Sequence, residues 1–222
     1  MTKFEAEKKQ EEQKEEEKAT DLSQFLLLND VDPEPAKLRL IGLYGEVDEE
    51  KAAEITFSLM ALRELEKQEE PTNPDDPESE KITVYKPINF VVSTWGGSAA
   101  DMFSIYDTIR MVRDDCDIKT LGLGKVMSAG VLLLAAGTKG QRRIGKNCRV
   151  MLHGVQSGQH GNLSDLENEM AEAKWTQDTL VNCLTKETKM TKKYLKKILA
   201  KRMNIYFTAE EAVELGIADE IV

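Results

Sequence analysis

Three short stretches of the sequence carry residue types that could together perform acyl transfer. Ser128 lies in KVMSAG, between a predicted strand and an apolar helix, and His153 ends the apolar run RVMLH. The pair Gly96-Gly97 closes an earlier predicted strand. Acyl transfer needs a nucleophile, a base that accepts its proton near pH 7, and hydrogen-bond donors for the oxyanion. A serine, a histidine and exposed backbone amides could supply all three.

Each stretch also has an ordinary structural explanation. A serine at a helix start commonly caps the helix, and a histidine at a strand end is often simply hydrogen-bonded. A glycine pair is common in tight turns. The chain has two histidines, His153 and His160, and His160 stands in the polar loop SGQHGN. His153 ends a strand, where parallel sheets gather their functional groups, so the combination favours the catalytic interpretation.

The surrounding pattern predicts strands and helices in alternation, which is typical of an α/β domain with a mainly parallel sheet flanked by helices. Strands are predicted where apolar runs end in glycine, and the first of them, LRLIGLYGEV, should be buried on both faces. Helices are predicted where apolar residues recur at helical spacing, with Asp48 capping the first and Thr208 opening the last. Strands are predicted at about 38–47, 82–94 and 148–155, and helices at about 49–68, 99–113, 163–184 and 208–215. Within 118–137 a short strand is predicted to run through a glycine turn into an apolar helix that begins near Ser128.

Composition predicts one domain with a charged arm. The 222 residues are 41% hydrophobic, which suffices for a single core. Residues 1–20, almost wholly Glu, Lys and Gln, are expected to form a flexible tail, and residues 21–222 a single domain. An exposed, mobile acidic loop is expected at about 69–81, where EEPTNPDDPESEK carries three prolines.

The same composition limits the cellular compartments and the binding partners that we expect. A net charge of −10 argues against binding to nucleic acid or to anionic membranes. No apolar run approaches a membrane span and the start lacks a secretory signal, so we expect a cytoplasmic protein. Three cysteines without a CxxC pair suggest buried reduced thiols, and neither a metal nor a cofactor is expected.

Longer motifs extend the pattern from about residue 38 to residue 222. They are YGEV, TWGGSAADMFSIYDTI, GLGKVMSAGVLLLAAGTKGQRRI, NCRVMLHG and FTAEEAVELGIADEIV, in that order. By these motifs the sequence resembles the caseinolytic (Clp) protease family. The resemblance implies a crotonase-like ββα-repeat domain with a protruding helical handle. It also implies a serine endopeptidase subunit of a self-compartmentalised ring protease.

The resemblance assigns roles to particular residues. Ser128 would be the nucleophile and His153 the general base, with the N–H groups of Gly97 and Ala129 forming the oxyanion hole. The third triad position, usually aspartate in the family, carries Asn204. An asparagine can accept the imidazole N–H but supplies no charge, so activity is expected to be modest.

Substrate and partners follow from the same resemblance. Unfolded polypeptide would bind beside Gly96 and along Gly154, Val155 and Gln156, as an added strand that uses main-chain hydrogen bonds. A homo-oligomer of two stacked heptameric rings and an AAA+ unfoldase are implied. Phe103 and Tyr106 are candidates either for a docking surface or for core packing.

Two other functions remain open. The chain could be a catalytically weak ring subunit that supports an active paralogue, and Asn204 favours this alternative. It could also be an acyl-CoA hydratase or isomerase, which shares the fold but needs a catalytic carboxylate. No Asp or Glu lies in the two glycine-bearing turns, although Asp101 follows one of them closely.

Overall fold

A computed structural model of the chain describes residues 38–65, 67–76, 78–158, 160–201 and 203–222. The predicted tail at 1–20 lies outside the described residues, as does most of the segment that follows it. The elements alternate along the chain much as the pattern predicts. The strands are β1 (Leu40–Val47), β2 (Gln68–Pro71), β3 (Lys81–Val84), β4 (Ile88–Gly97), β5 (Ile118–Met127), β6 (Arg143–Ile144), β7 (Arg149–Leu152), β8 (Ile205–Phe207) and β9 (Glu220–Ile221). The helices are α1 (Glu49–Glu64), α2 (Ala99–Arg113), α3 (Ala129–Ala135), α4 (Leu163–Glu187), α5 (Lys192–Leu199) and α6 (Ala209–Glu214).

The main sheet is parallel except at one pair of strands. Within the described ranges it has seven strands, in the order β1-β4-β5-β6-β9, with β7 paired to β5 and β8 paired antiparallel to β7. The apolar runs of β4 and β5 fill its middle, and their core-facing side chains are fully buried, as Phe90, Val92 and Ile118 illustrate. The predicted α/β class with a mainly parallel sheet and flanking helices is confirmed.

The first strand departs from its predicted environment. β1 lies at the edge of the sheet, and its burial alternates, with Leu43 and Val47 buried but Leu40 and Tyr44 about half exposed. A continuous apolar run does not by itself say whether a strand is central or at an edge, because both can carry apolar side chains on two faces. The prediction that β1 is buried on both faces is therefore wrong for the single chain.

The acidic segment is more regular than its composition predicts. Its two ends pair as the antiparallel strands β2 and β3, with Gln68 opposite Val84 and Pro71 opposite Lys81. The β-branched run Ile82-Thr83-Val84 supplies strand propensity to β3. Two glutamates and a proline lie in β2 itself, and the exposed connection carries the other acidic residues. Pro87, which has no N–H, separates β3 from β4, so the single strand predicted at 82–94 is two strands.

Helix α4 is buried only in its second half. Residues 163–172 are exposed, whereas Leu180, Val181 and Leu184 enter the core. The first half projects from the body of the domain and leaves Leu163, Met170 and Trp175 largely exposed. No helix among the described residues is long and apolar enough to cross a membrane.

The three cysteines are free and buried. Burial raises the pKa of the Cys148 thiol to about 11 and also raises the pKa of Cys116 and Cys183. Thiolate is the reactive form, so these side chains are poor nucleophiles near neutral pH.

A buried carboxylate joins α4 to α2. Glu187 is only 1% exposed and its carboxylate accepts hydrogen bonds from Tyr106 Oη (2.9 Å), Arg110 Nη1 (2.9 Å) and Arg113 Nη1 (3.0 Å). Burial opposes ionisation of Glu187, but the hydrogen bonds from Arg113 and Arg110 outweigh it and hold the pKa of this carboxyl below its ordinary value. Tyr106 is therefore a core residue, and its use in a docking surface is not supported.

We expect Glu187→Ala to lower the free energy of unfolding at pH 7 by roughly 3 kcal/mol, because it leaves buried cationic and phenolic groups without their partner. The depressed pKa of Glu187 makes its contribution complete above the ordinary carboxyl pKa of 4.5 and lost as pH falls through the lower folded value. The difference between wild type and variant should therefore shrink below about pH 4.5. Urea unfolding at several pH values measures it. Glu172→Ala, at an exposed position of α4, is the control and should change stability by less than about 0.5 kcal/mol.

Candidate active site

Ser128 sits in a backbone conformation that side chains rarely adopt. It follows β5 directly and precedes α3, with φ 53° and ψ −116°, and it is the one non-glycine residue with positive φ in the described part of the chain. Such a conformation costs an L-residue on the order of 1 kcal/mol or more. The Ser128 side chain makes no capping hydrogen bond to α3. Simple helix capping therefore does not explain the serine.

The end of β4 lies directly against this serine. A Cβ atom at Gly96 would come within 2.6 Å of Ser128 Cβ and 3.1 Å of Ser128 Oγ, and Gly96 has φ +98°. A Cβ atom at Gly97 would overlap the backbone of Val47 on β1. The glycine pair is thus required by close approach on both sides, which is more than an ordinary turn demands.

Thr94 fixes this end of β4, and its role was not apparent from the sequence. The residue is fully buried, its Oγ1 donates to Gly45 O (2.6 Å), and Oγ1 accepts from Gly96 N (3.0 Å). The Gly96 N–H is therefore occupied within the protein. The polar pair Ser93-Thr94 just before the glycine pair was the available signal, since a buried hydroxyl must be satisfied by a nearby backbone group.

His153 follows the last residue of β7. That strand pairs in parallel with β5, and Ser128 N donates to Met151 O at 2.8 Å, so the two strand ends carry the serine and the histidine side by side. The His153 Nδ1 atom lies 2.6 Å from Gly154 O. A carbonyl oxygen only accepts, so this contact is a hydrogen bond when Nδ1 carries the hydrogen, and in a neutral imidazole that leaves the lone pair on Nε2.

Asn204 lies next to His153 without engaging it. β8 pairs antiparallel with β7 with Leu152 opposite Ile205, and one step further along this register brings His153 opposite Asn204. Both residues line a small cavity of about 340 Å³. The Asn204 side chain is exposed and has no hydrogen-bond partner among the described residues. The register thus places Asn204 beside the histidine, while the Nδ1 atom of His153 contacts Gly154 O.

Ser128 and His153 open onto one larger cleft of about 390 Å³. Most of the other predicted site residues line it as well, and Trp95, Met102 and Leu180 add apolar surface. Its walls are formed by Glu46, Trp95, Gly97, Ser98, Ala99, Met102, Ser128, Ala129, His153, Gly154, Val155, Gln156, Thr176 and Leu180. Glu46, at the end of β1, is the acidic side chain among these lining residues, and no sequence motif pointed to it. No group of three or more His, Cys, Asp or Glu side chains in the described ranges could hold a metal ion.

The segment after His153 borders the cleft without forming a strand. Residues 153–158 have no regular secondary structure, and Val155 N donates to Gln177 Oε1 of α4 at 2.7 Å. The expected extended pairing with a peptide at 154–158 therefore stays a prediction.

A strained serine at a strand-to-helix turn, with a histidine lining the same cleft on a mainly parallel sheet, is the arrangement of a serine-type hydrolase. Comparison with known proteins narrows this class. A family model described as Clp protease matches residues 79–222. The ATP-dependent Clp protease proteolytic subunit 1 of Corynebacterium glutamicum is 34% identical to this chain over 184 residues, which cover 82% of the chain and 78% of that protein.

The chain therefore belongs to the Clp protease family and is a serine-type peptidase, as the motifs predicted. Proteolytic subunits of this family form oligomers and work with ATPase chaperones. The assignment favours the peptidase over the acyl-CoA hydratase, which had remained open because the fold is shared.

We expect Gly96→Ala to reduce fluorophosphonate labelling of Ser128 by at least about tenfold, because the new methyl group would displace the serine side chain. Gly140→Ala is the matched control, since Gly140 also has positive φ (+84°) but nothing within 4 Å of its would-be Cβ. Gly140→Ala should lose roughly 1 kcal/mol of stability and keep its labelling, whereas Gly96→Ala should lose more stability, because its Cβ also overlaps Ser128, and should lose labelling. Equal labelling of the two variants would contradict the close approach.

Proposed function

We propose that the chain hydrolyses unfolded polypeptides through an acyl-enzyme on Ser128, as a subunit of a self-compartmentalised ring protease. The observation that carries this proposal is the state of Ser128. It holds a costly backbone conformation, makes no capping bond, and opens onto the cleft that His153 also lines. A serine kept in that state without a structural use is best explained by chemistry at its hydroxyl.

His153 acts as the general base in this mechanism. Nε2 takes the proton from Ser128 Oγ as the oxygen attacks the scissile carbonyl, and the same proton then passes to the leaving amine. The acyl-enzyme ester that results is attacked by a water molecule, which gives up its proton to Nε2. Release of the carboxylic acid product returns the proton to Ser128.

The oxyanion of each tetrahedral intermediate is held by the N–H groups of Gly97 and Ala129. Ala129 is the first residue of α3, so its N–H has no partner within the helix. Gly97 N–H is the remaining candidate in the glycine pair, because the Gly96 N–H is already bonded to Thr94. Gly96 itself lets β4 lie against Ser128, because it has no Cβ to overlap the serine side chain.

Assembly into two stacked heptameric rings, fed by an AAA+ unfoldase, completes the proposal. The projecting half of α4 supports it, because Leu163 (72% exposed), Met170 (59%) and Trp175 (59%) are large apolar side chains that are mostly exposed in the single chain. Burying them between rings would remove that surface from water. The exposed face of the edge strand β1 could likewise be covered by a neighbouring subunit.

We expect Ser128→Ala to lower the cleavage of an unstructured fluorogenic peptide by at least about 10⁴-fold, since the nucleophile acts as a unit with its base. Turnover of purified protein measures it. Ser104→Ala, at an exposed position on α2, is the control and should keep full activity. Equal trace activity in wild type and Ser128→Ala would refute hydrolysis by this chain.

A second candidate function is a weakly active or inactive ring subunit that supports an active paralogue. One observation favours it. Asn204 lies beside His153, has no hydrogen-bond partner among the described residues and carries no negative charge. In a chymotrypsin-type triad, aspartate to asparagine costs about 10⁴ in turnover.

We expect Asn204→Asp to speed fluorophosphonate labelling of Ser128 by about tenfold or more, because a carboxylate would stabilise the imidazolium that forms as the serine attacks. Asn182→Asp, on α4 away from the cleft, is the control for added charge and should change nothing. No gain with Asn204→Asp would mean that residue 204 does not act on His153.

A further inference from the structure

We infer that Gln177 is a positioning residue that fixes the tautomer of His153 through the peptide group between Gly154 and Val155. The inference rests on the proposed function, in which His153 is the general base. It assigns to a backbone carbonyl and a glutamine on α4 the task that a triad aspartate performs in other serine proteases.

Two short hydrogen bonds meet on one peptide group. His153 Nδ1 donates to the Gly154 carbonyl at 2.6 Å, and the N–H of Val155 donates to Gln177 Oε1 at 2.7 Å. The Gly154 carbonyl and the Val155 N–H belong to the same planar amide. Gln177 therefore holds one end of the unit whose other end accepts from the histidine ring.

This peptide group needs a clamp, because nothing else in its own segment holds it. Residues 153–158 form no strand, and Gly154 brings the broadest backbone freedom of any residue type. A Cβ atom at Gly154 would lie 3.3 Å from both Gln177 Oε1 and Leu199 O, so the peptide is seated between α4 and the end of α5. Gln177 is anchored one turn before the buried Leu180.

The arrangement has a chemical consequence at the ring. With Nδ1 held as a donor, the lone pair stays on Nε2, which is the atom that must accept the serine proton. Accepting a hydrogen bond at the Gly154 carbonyl while donating from the Val155 N–H polarises the amide, and each bond strengthens the other. Asn204 stands at the family's usual aspartate position but has no hydrogen-bond partner among the described residues. The Gly154 carbonyl therefore takes the role of accepting the Nδ1 hydrogen.

The tautomer can be measured directly. The chain has two histidines, so ¹⁵N magic-angle-spinning spectra of sedimented protein labelled with ¹⁵N-histidine contain two imidazole rings, and His160→Gln assigns them. We expect His153 to be protonated at Nδ1 in the wild type near pH 7.5. Gln177→Met, which keeps the length but removes the acceptor, should populate both tautomers. Asn204→Ala should leave the spectrum unchanged.

Turnover gives a second, independent measurement. We expect Gln177→Met to lower kcat for a fluorogenic peptide by about tenfold with little change in KM, since the base is mispositioned while the cleft remains. Gln177→Glu keeps an oxygen acceptor for the Val155 N–H and should restore kcat to within about threefold of wild type. Gln68→Met, on the exposed hairpin strand β2, controls for the substitution itself.

Specific results would overturn the inference. One is the finding that His153 is protonated at Nε2 in the wild-type protein, and this measurement needs no variant. Another is a Gln177→Met protein that keeps the wild-type tautomer and changes only KM, because Gln177 would then hold the substrate-binding segment and not the histidine. The spectra also separate this inference from the proposed function. Suppose that the chain fails to cleave peptide, but His153 is protonated at Nδ1 and Gln177→Met abolishes that preference. The positioning role of Gln177 would then stand, and the proposed peptidase activity would not.

Discussion

The close approach of β4 to the start of α3 is the constraint on which the site depends. No side chain fits at Gly96, where a Cβ would meet Ser128, and none fits at Gly130, where a Cβ would lie 2.5 Å from Thr94. Thr94 Oγ1 also bonds to the backbone of β1 at Gly45 and of β4 at Gly96. Because the serine turn, the glycine pair and the buried threonine touch one another, none can shift alone. The cleft is shaped by backbone packing more than by its side chains.

Much of the fold could be predicted from the sequence, because hydrophobic periodicity and capping are local signals. Asp48 accepts from Lys51 N at the start of α1, and Thr208 and Glu211 form the reciprocal cap of α6, as their spacing indicates. Pairing partners are not local. Nothing in LRLIGLYGEV shows that β1 is an edge strand, and nothing in the acidic segment shows that its two ends pair with each other.

The same distinction between local and tertiary signals applies to the residues of the site. Ser128, His153 and the glycine pair stand at strand ends, where sequence order alone places functional groups in a parallel sheet. Glu46 and Gln177 reach the site through tertiary contacts between distant elements, and no spacing rule connects them. Thr94 stands two residues before Gly96 in the same strand, so its position could have been noticed. The partner of His153 Nδ1 could not have been foreseen either, because the motif comparison points to residue 204 while the hydrogen bond is to the adjoining backbone carbonyl.

The backbone conformation of Ser128 also affects which residue type would be most stable at this position. Glycine adopts φ near +53° without penalty, so a chain with no use for the hydroxyl would gain on the order of 1 kcal/mol by exchanging serine for glycine. That exchange needs no other change in the turn. Folding alone would therefore favour glycine at this turn, and the hydroxyl of Ser128 is kept at a cost in stability.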